Sequence, residues 1–116
     1  MQTLRAFYRS ETRSRLLVAG PASSTALECG QEPVLKSGAT PTAASVVQWE
    51  NGSPSIRKLY WIDPNGNRAA RGVLAPGARL RVDTQVGHIW LYADETDRCV
   101  GVFTPLAPGE SATIRK

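Results

Sequence analysis

The chain has 116 residues, 41% of them hydrophobic, and a formal net charge of +4, which fits one folded domain with one core and excludes a natively unfolded polyelectrolyte. Arg5, Arg9, Arg13 and Arg15 against Glu11 concentrate most of that charge in the first fifteen residues, so the remainder is near neutral and argues against a nucleic-acid partner. No run approaches the roughly 20 apolar residues of a membrane helix.

Residues 1–28 show no strand-like alternation. Four arginines precede the short apolar run LLVAGPA (16–22), so the segment is expected to be either a disordered arm or a degenerate signal sequence. From Cys29 the texture changes to short runs punctuated by Gly, Pro, Asn and Asp, and 29–116 is expected to form the folded domain. EPVLKS (32–37) is a candidate first strand. SVVQWEN (45–51) is the next, with Val47 and Trp49 on one face, and NGSP (51–54) is a turn. IRKLYWID (56–63) is a strand and PNGN (64–67) a tight turn, because Asn65-Gly66 favours positive φ.

RAARGVL (68–74) is a short strand closed by the turn at Pro76-Gly77. ARLRVDT (78–84) alternates, with Leu80 and Val82 inward and Arg79, Arg81 and Asp83 outward. This is the pattern of a half-buried strand. HIWLYAD (88–94) is the most β-prone run of the chain. DETD is a turn, CVGVFTP (99–105) a strand, and APGESATIRK turns into a last one. A turn signal every 8–12 residues with no sustained helical period predicts an all-β sandwich or small barrel.

Little here resembles catalytic machinery. There is no serine elbow, no His–Glu zinc pattern and no Gly-rich phosphate loop, and the chain is expected not to be an enzyme. Cys29, Cys99 and the single His88 share no metal-ligand spacing, and neither a metal nor another cofactor is expected. Cys29 and Cys99 are a disulfide candidate if the chain is exported and two thiols if it is cytosolic. A periplasmic or secreted location is slightly favoured. His88, with Thr84 four residues upstream, Trp90 two residues on and Trp61 in an earlier strand, suggests a small pocket that recognises a compact ligand group. Each of these also reads as an ordinary strand or core residue.

PVLKS (33–37), NGSP (51–54), Trp61 with NG at 65–66, LAPG (74–77) and RVDTQVGHIWLY (81–92) form an ordered set. In that order they resemble the von Hippel-Lindau tumour suppressor β-domain family, in its bacterial or stand-alone form, over about residues 29–116. The resemblance implies a seven-stranded antiparallel β-sandwich of prealbumin-like architecture. It also implies a binding module for an extended peptide or protein carrying proline or 4-hydroxyproline. The chain ends soon after the last predicted strand, so the resemblance does not extend to the family's helical ligase-recruiting domain, and ubiquitin-ligase recruitment is not expected.

Carried over residue by residue, Trp61 and Trp90 fall on the family's pocket-wall tryptophans, Thr84 on a serine that bonds the proline hydroxyl, and His88 on the histidine that bonds the same hydroxyl. Arg71 departs from the pattern, standing where the family has a tyrosine that bonds the ligand backbone. Asp83 replaces a histidine near the peptide and, one residue from Thr84, is expected either outside the pocket or paired with Arg71 on a neighbouring strand. The stretch from Gly38 to Thr42 lacks the family's peptide-holding asparagine and arginine. Arg71 is expected either to stack on an aromatic or donate to a peptide carbonyl, or to extend into solvent and leave the pocket open, in which case an acidic or carboxylate-bearing ligand is expected. The alternative function is a structural or accessory envelope domain that keeps the sandwich without the ligand pocket.

Overall fold

In a computed structural model, residues 27–116 are described. The predicted arm at 1–28 therefore lies almost wholly outside the described residues. The strands are β1 (Ala44–Asn51), β2 (Arg57–Ile62), β3 (Arg68–Leu74), β4 (Arg79–Gln85), β5 (Ile89–Ala93), β6 (Cys99–Phe103) and β7 (Glu110–Ile114). They form two sheets, ordered β4-β1-β7 and β3-β2-β5-β6.

Strand alternation sets the packing between the sheets. Val47 and Trp49 of β1 point inward with Leu59 of β2, Trp90 of β5, and Ala112 and Ile114 of β7, and all are buried. Trp49 is the hub: its ring centroid lies 6.4 Å from that of Trp90, 6.0 Å from Tyr92 and 5.3 Å from Phe103, in tilted or edge-on geometry. Gly101 is required under Tyr92, because a Cβ there would collide with the tyrosine ring.

The four-stranded sheet is covered on its other face as well. Ile62, Ile89, Leu91 and Ala93 form a second buried cluster with Leu35, and Leu27, Tyr60, Cys99 and Val102 pack against it. Burial on both faces is why β5 reads as a continuous apolar run rather than an alternating one.

The cover over that face corrects one sequence expectation. EPVLKS does not make a strand. Cys29–Val34 is a 3-10 helix containing Pro33, entered through a capping box between Glu28 and Gln31. Leu35 continues extended over the face of the sheet rather than along an edge, so it has no strand to pair with. Three ties hold the segment down. Ser37 Oγ accepts from the Ile89 N–H at 2.9 Å, Arg68 grips Glu32 through Nε (2.6 Å) and Nη2 (2.8 Å), and Cys29 and Cys99 form a disulfide. Gly66, at φ +86°, brings the β2–β3 turn so close to Leu35 that a Cβ would lie 3.2 Å from the Leu35 carbonyl oxygen.

A second correction concerns strand direction. The sandwich is not wholly antiparallel: β7 runs parallel to β1, pairing Val47 with Glu110 through Asn51 with Ile114. The segment between β6 and β7 crosses from one sheet to the other at the end where β1 begins. It is pinned there by Ser45 Oγ donating to Ala107 O and Gly87 N–H donating to Pro105 O. A strand leaving that end beside β1 must run in the same direction.

At the opposite end, Asn51 joins two turns. Its side chain donates to Ser55 O and Leu74 O, both at 2.8 Å, and accepts from the Ser53 N–H and hydroxyl. Its backbone accepts from Gly77 and donates to Ala78. The NGSP and LAPG motifs are therefore one buried hydrogen-bonded assembly.

Candidate functional site

Thr84 extends the inward row of Leu80 and Val82 on β4 to the end of the strand. A tight turn at Val86-Gly87 (Gly87 at φ +89°) then carries the chain into the other sheet and sets His88 just ahead of β5. Thr42 braces this turn, its N–H donating to Gln85 Oε1 (2.9 Å) and its hydroxyl to Val86 O (2.7 Å). Trp90 follows on the inner face of β5, directly across the ladder from Trp61 on β2.

Arg71 reaches the same place through a bulge. The β2–β3 ladder pairs Leu59 with Gly72 and Tyr60 with Ala70, leaving Arg71 unpaired between them. Its guanidinium lies over the Trp61 ring, 5.3 Å from the centroid, and Nη1 donates to Ala70 O at 3.1 Å.

These residues enclose a solvent-open cleft of about 390 Å³ between the two sheets. Trp61, Arg71, Thr84, His88 and Trp90, the five expected ligand-binding residues, all line it. Asp83 and Gln85 complete the lining. Asp83 was expected outside or paired with Arg71. It borders the cleft because β4 is the edge strand of its sheet, so even a residue of outward parity stands at the rim. Gln85 carried no signal in the sequence beyond its place next to Thr84.

Two hydrogen bonds organise the interior of the site. Trp61 Nε1–H donates to His88 Nδ1 at 3.1 Å, and Trp90 Nε1–H donates to Thr84 Oγ1 at 3.0 Å. An indole nitrogen can only donate, so Nδ1 must carry a lone pair, and neutral His88 holds its proton on Nε2. That Nε2 is buried and, among the described residues, has no hydrogen-bond partner. A buried donor in this state costs about 1–3 kcal/mol. The Thr84 hydroxyl keeps its hydrogen and a second lone pair. The His88 ring also stacks against Trp61, centroids 5.6 Å apart and planes at 25°. Trp90 is both core and wall: it is 2% exposed, yet its indole N–H is spent on the cleft.

On the outer face of the sheet, away from the cleft, a polar cluster surrounds Asp97. Tyr60 donates its hydroxyl to Asp97, and Lys58 Nζ lies 3.2 Å from the same carboxylate. The Tyr60 bond holds the Asp97 carboxyl below its ordinary range and the phenol above its own. Arg68 lowers the Glu32 carboxyl in the same way, chiefly through its hydrogen bond. The second bulge of the sheet serves this side. β5 pairs Tyr92 with Gly101 and Ala93 with Cys99, skipping Val100. Cys99 is thereby turned from the inner face to the outer one, beside Val102, where it meets Cys29 at a Cα–Cα distance of 5.7 Å.

Among the described residues, no group of His, Cys, Asp and Glu is arranged to hold a metal ion, and no helix is long and apolar enough to cross a membrane.

Three strands over four, with an aromatic cleft open between the sheets, define a β-sandwich. The family model described as the VHL beta domain matches residues 35–102, and the chain belongs to that family. The match contains all five expected site residues and Cys99 but begins after Cys29 and the 3-10 helix. No curated protein matches the chain.

Proposed function

We propose that the domain is a non-catalytic peptide-binding module whose cleft takes a proline or hydroxyproline side chain from an extended partner peptide. One observation carries the reading: Trp61, Thr84, His88 and Trp90 converge on a single open cleft while keeping hydrogen-bonding capacity in reserve. A pyrrolidine ring packs its C–H groups against the indoles. Once a shift of the His88 ring uncovers its buried Nε2–H, a hydroxyl on the bound ring accepts from it and exchanges a second bond with Thr84. Unhydroxylated proline leaves those groups unpaired, a penalty of about 1–3 kcal/mol, or roughly 5- to 150-fold in affinity. Arg71 supports the reading by its position: it lies over Trp61 and leaves the cleft open instead of filling it.

The same hydrogen bonds weigh against catalysis. A base–nucleophile pair requires His88 to face Thr84, but each is bound to an indole. The Cys29–Cys99 bond supports a periplasmic or secreted setting, where disulfides persist.

Titration calorimetry against paired peptides that differ only in hydroxyproline versus proline tests the proposal. The expected result is hydroxyl-dependent binding that His88→Ala abolishes. Equal binding to the two peptides, or binding to neither, refutes recognition of the ring hydroxyl.

A further inference from the structure

We infer that the cleft reads charge on both sides of the ring it holds, so that the partner peptide carries an acidic residue on one side of its proline or hydroxyproline and a basic residue on the other. Arg71 and Asp83 are then the specificity-determining residues. The inference rests on the peptide-binding reading above and names the class of peptide.

The two charges stand on opposite walls. Arg71 projects from β3 and Asp83 from β4, strands of different sheets that are joined at the turn after Leu74 and border the cleft from either side. Both are exposed, and among the described residues neither makes an ion pair. Three ion pairs lie elsewhere on the domain: Lys58 with Asp97, Arg68 with Glu32 and Arg79 with Glu50. Two unpaired charges of opposite sign on the rims of the aromatic cleft make it bipolar.

Arg71 is also held in place. The bulge at the Leu59/Tyr60 step aims it, the Trp61 face supports the guanidinium, and Ala70 O takes one N–H. A guanidinium ordered in this way loses little further freedom when its remaining N–H groups bind a carboxylate.

A ring seated on Trp61 and Trp90 places the preceding and following residues of an extended peptide at the two rims, because successive residues advance about 3.3 Å along the chain. An acidic residue at the Arg71 rim with a basic one at the Asp83 rim is attracted at both. The reverse order is repelled at both, which selects the direction in which the peptide lies. Rim pairs are individually weak, so the preference is one of several-fold and depends on salt.

The experiment uses the full 116-residue chain and three end-capped peptides whose central residues are Glu-Hyp-Lys, Lys-Hyp-Glu and Ala-Hyp-Ala. Affinities are read by calorimetry at low and high salt for the native protein and for the R71E/D83K double variant. Both substituted side chains are exposed, and thermal unfolding checks that the variant folds. The expected result is that one charged order binds about fivefold tighter than Ala-Hyp-Ala and the other weaker, that the spread narrows at high salt, and that the variant inverts the order. Equal affinity for all three peptides, with hydroxyproline-dependent binding intact, overturns the charge reading and leaves the pocket reading standing. A charge preference that the double variant retains removes the assignment to Arg71 and Asp83. Binding to none of the three overturns the pocket reading itself, and this inference with it.

Discussion

Replacing Cys29 and Cys99 together by alanine is expected to destabilise the whole sandwich, not only the helix that Cys29 begins. The bond joins residues 70 positions apart, so in the unfolded chain it closes a loop containing β1 through β5. The chain-entropy relation for a loop of that length gives about 4.4 kcal/mol at 25 °C, and measured disulfides commonly deliver about 2–4 kcal/mol. For a domain of this size each kcal/mol moves Tm by about 4–8 °C, so the expected fall is about 8–32 °C. Stabilities of about 5–15 kcal/mol are usual, which leaves the variant folded at 25 °C. The assay is urea denaturation followed by indole fluorescence, comparing native protein, reduced protein and the double variant. Trp49 is buried among β1, β5 and β6 and reports on the sandwich rather than the arm. If the bond acts through the unfolded chain, the midpoint of that signal drops in both disulfide-free forms. An unchanged midpoint, with the loss confined to exchange or proteolysis at the 3-10 helix, would refute the reasoning and make the disulfide a local fastening.

Three further outcomes are expected. Asn51→Ala strands Leu74 O and the Ser53 N–H in a buried site, while the Ser53 hydroxyl keeps Ser55 O, and should cost about 2–3 kcal/mol by denaturant titration; a loss within about 0.5 kcal/mol counts against the coupling of the two turns. Thr84→Val removes the acceptor of the buried Trp90 N–H and should cost about 1–3 kcal/mol, while Thr84→Ser, which keeps the oxygen, stays within about 1 kcal/mol of native. The Glu32 carboxyl is lowered in the fold by Arg68, so its contribution is fully present above the ordinary carboxyl range near 4.3 and is lost as pH falls through the lower folded value. Native protein and Glu32→Gln should therefore differ by about 1 kcal/mol at neutral pH and converge in acid, and a constant difference down to pH 3 contradicts the assignment.

What could be read in advance was what local patterning encodes. Alternation at Val47/Trp49 and Leu80/Val82 places these residues inward, and the turn residues at 51–54, 64–67 and 76–77 fall where the chain reverses. The sandwich architecture and five of the residues that line the cleft followed from those signals and the family resemblance. The errors are nonlocal. Leu35 and Ser37 are buried while Val34 is 74% exposed, so the segment mimics a strand although it lies on a sheet face with no edge to join. The parallel seating of β7 depends on where the crossing segment is tied, and no short window encodes that. The two bulges are intermediate cases. Each unpaired residue, Arg71 and Val100, directly precedes a glycine, Gly72 and Gly101, and an isolated strand glycine is a recognised sign of broken register.

The bulge at Arg71 separates two properties that most strand positions combine. A residue outside the ladder contributes little to pairing, and an exposed one contributes little to the core, so substitution there leaves the foldedness of the sheet almost untouched. Its side chain nevertheless overhangs Trp61 and borders the cleft. The position works as a tuning slot: mutation can explore tyrosine, arginine or an acid there and change the surface a partner meets without drawing on the domain's stability margin. Deleting the residue would make the pairs Leu59–Gly72 and Tyr60–Ala70 consecutive in a regular ladder with partners and faces unchanged, so removal erases the slot while leaving the register of Arg68 through Ala70 intact.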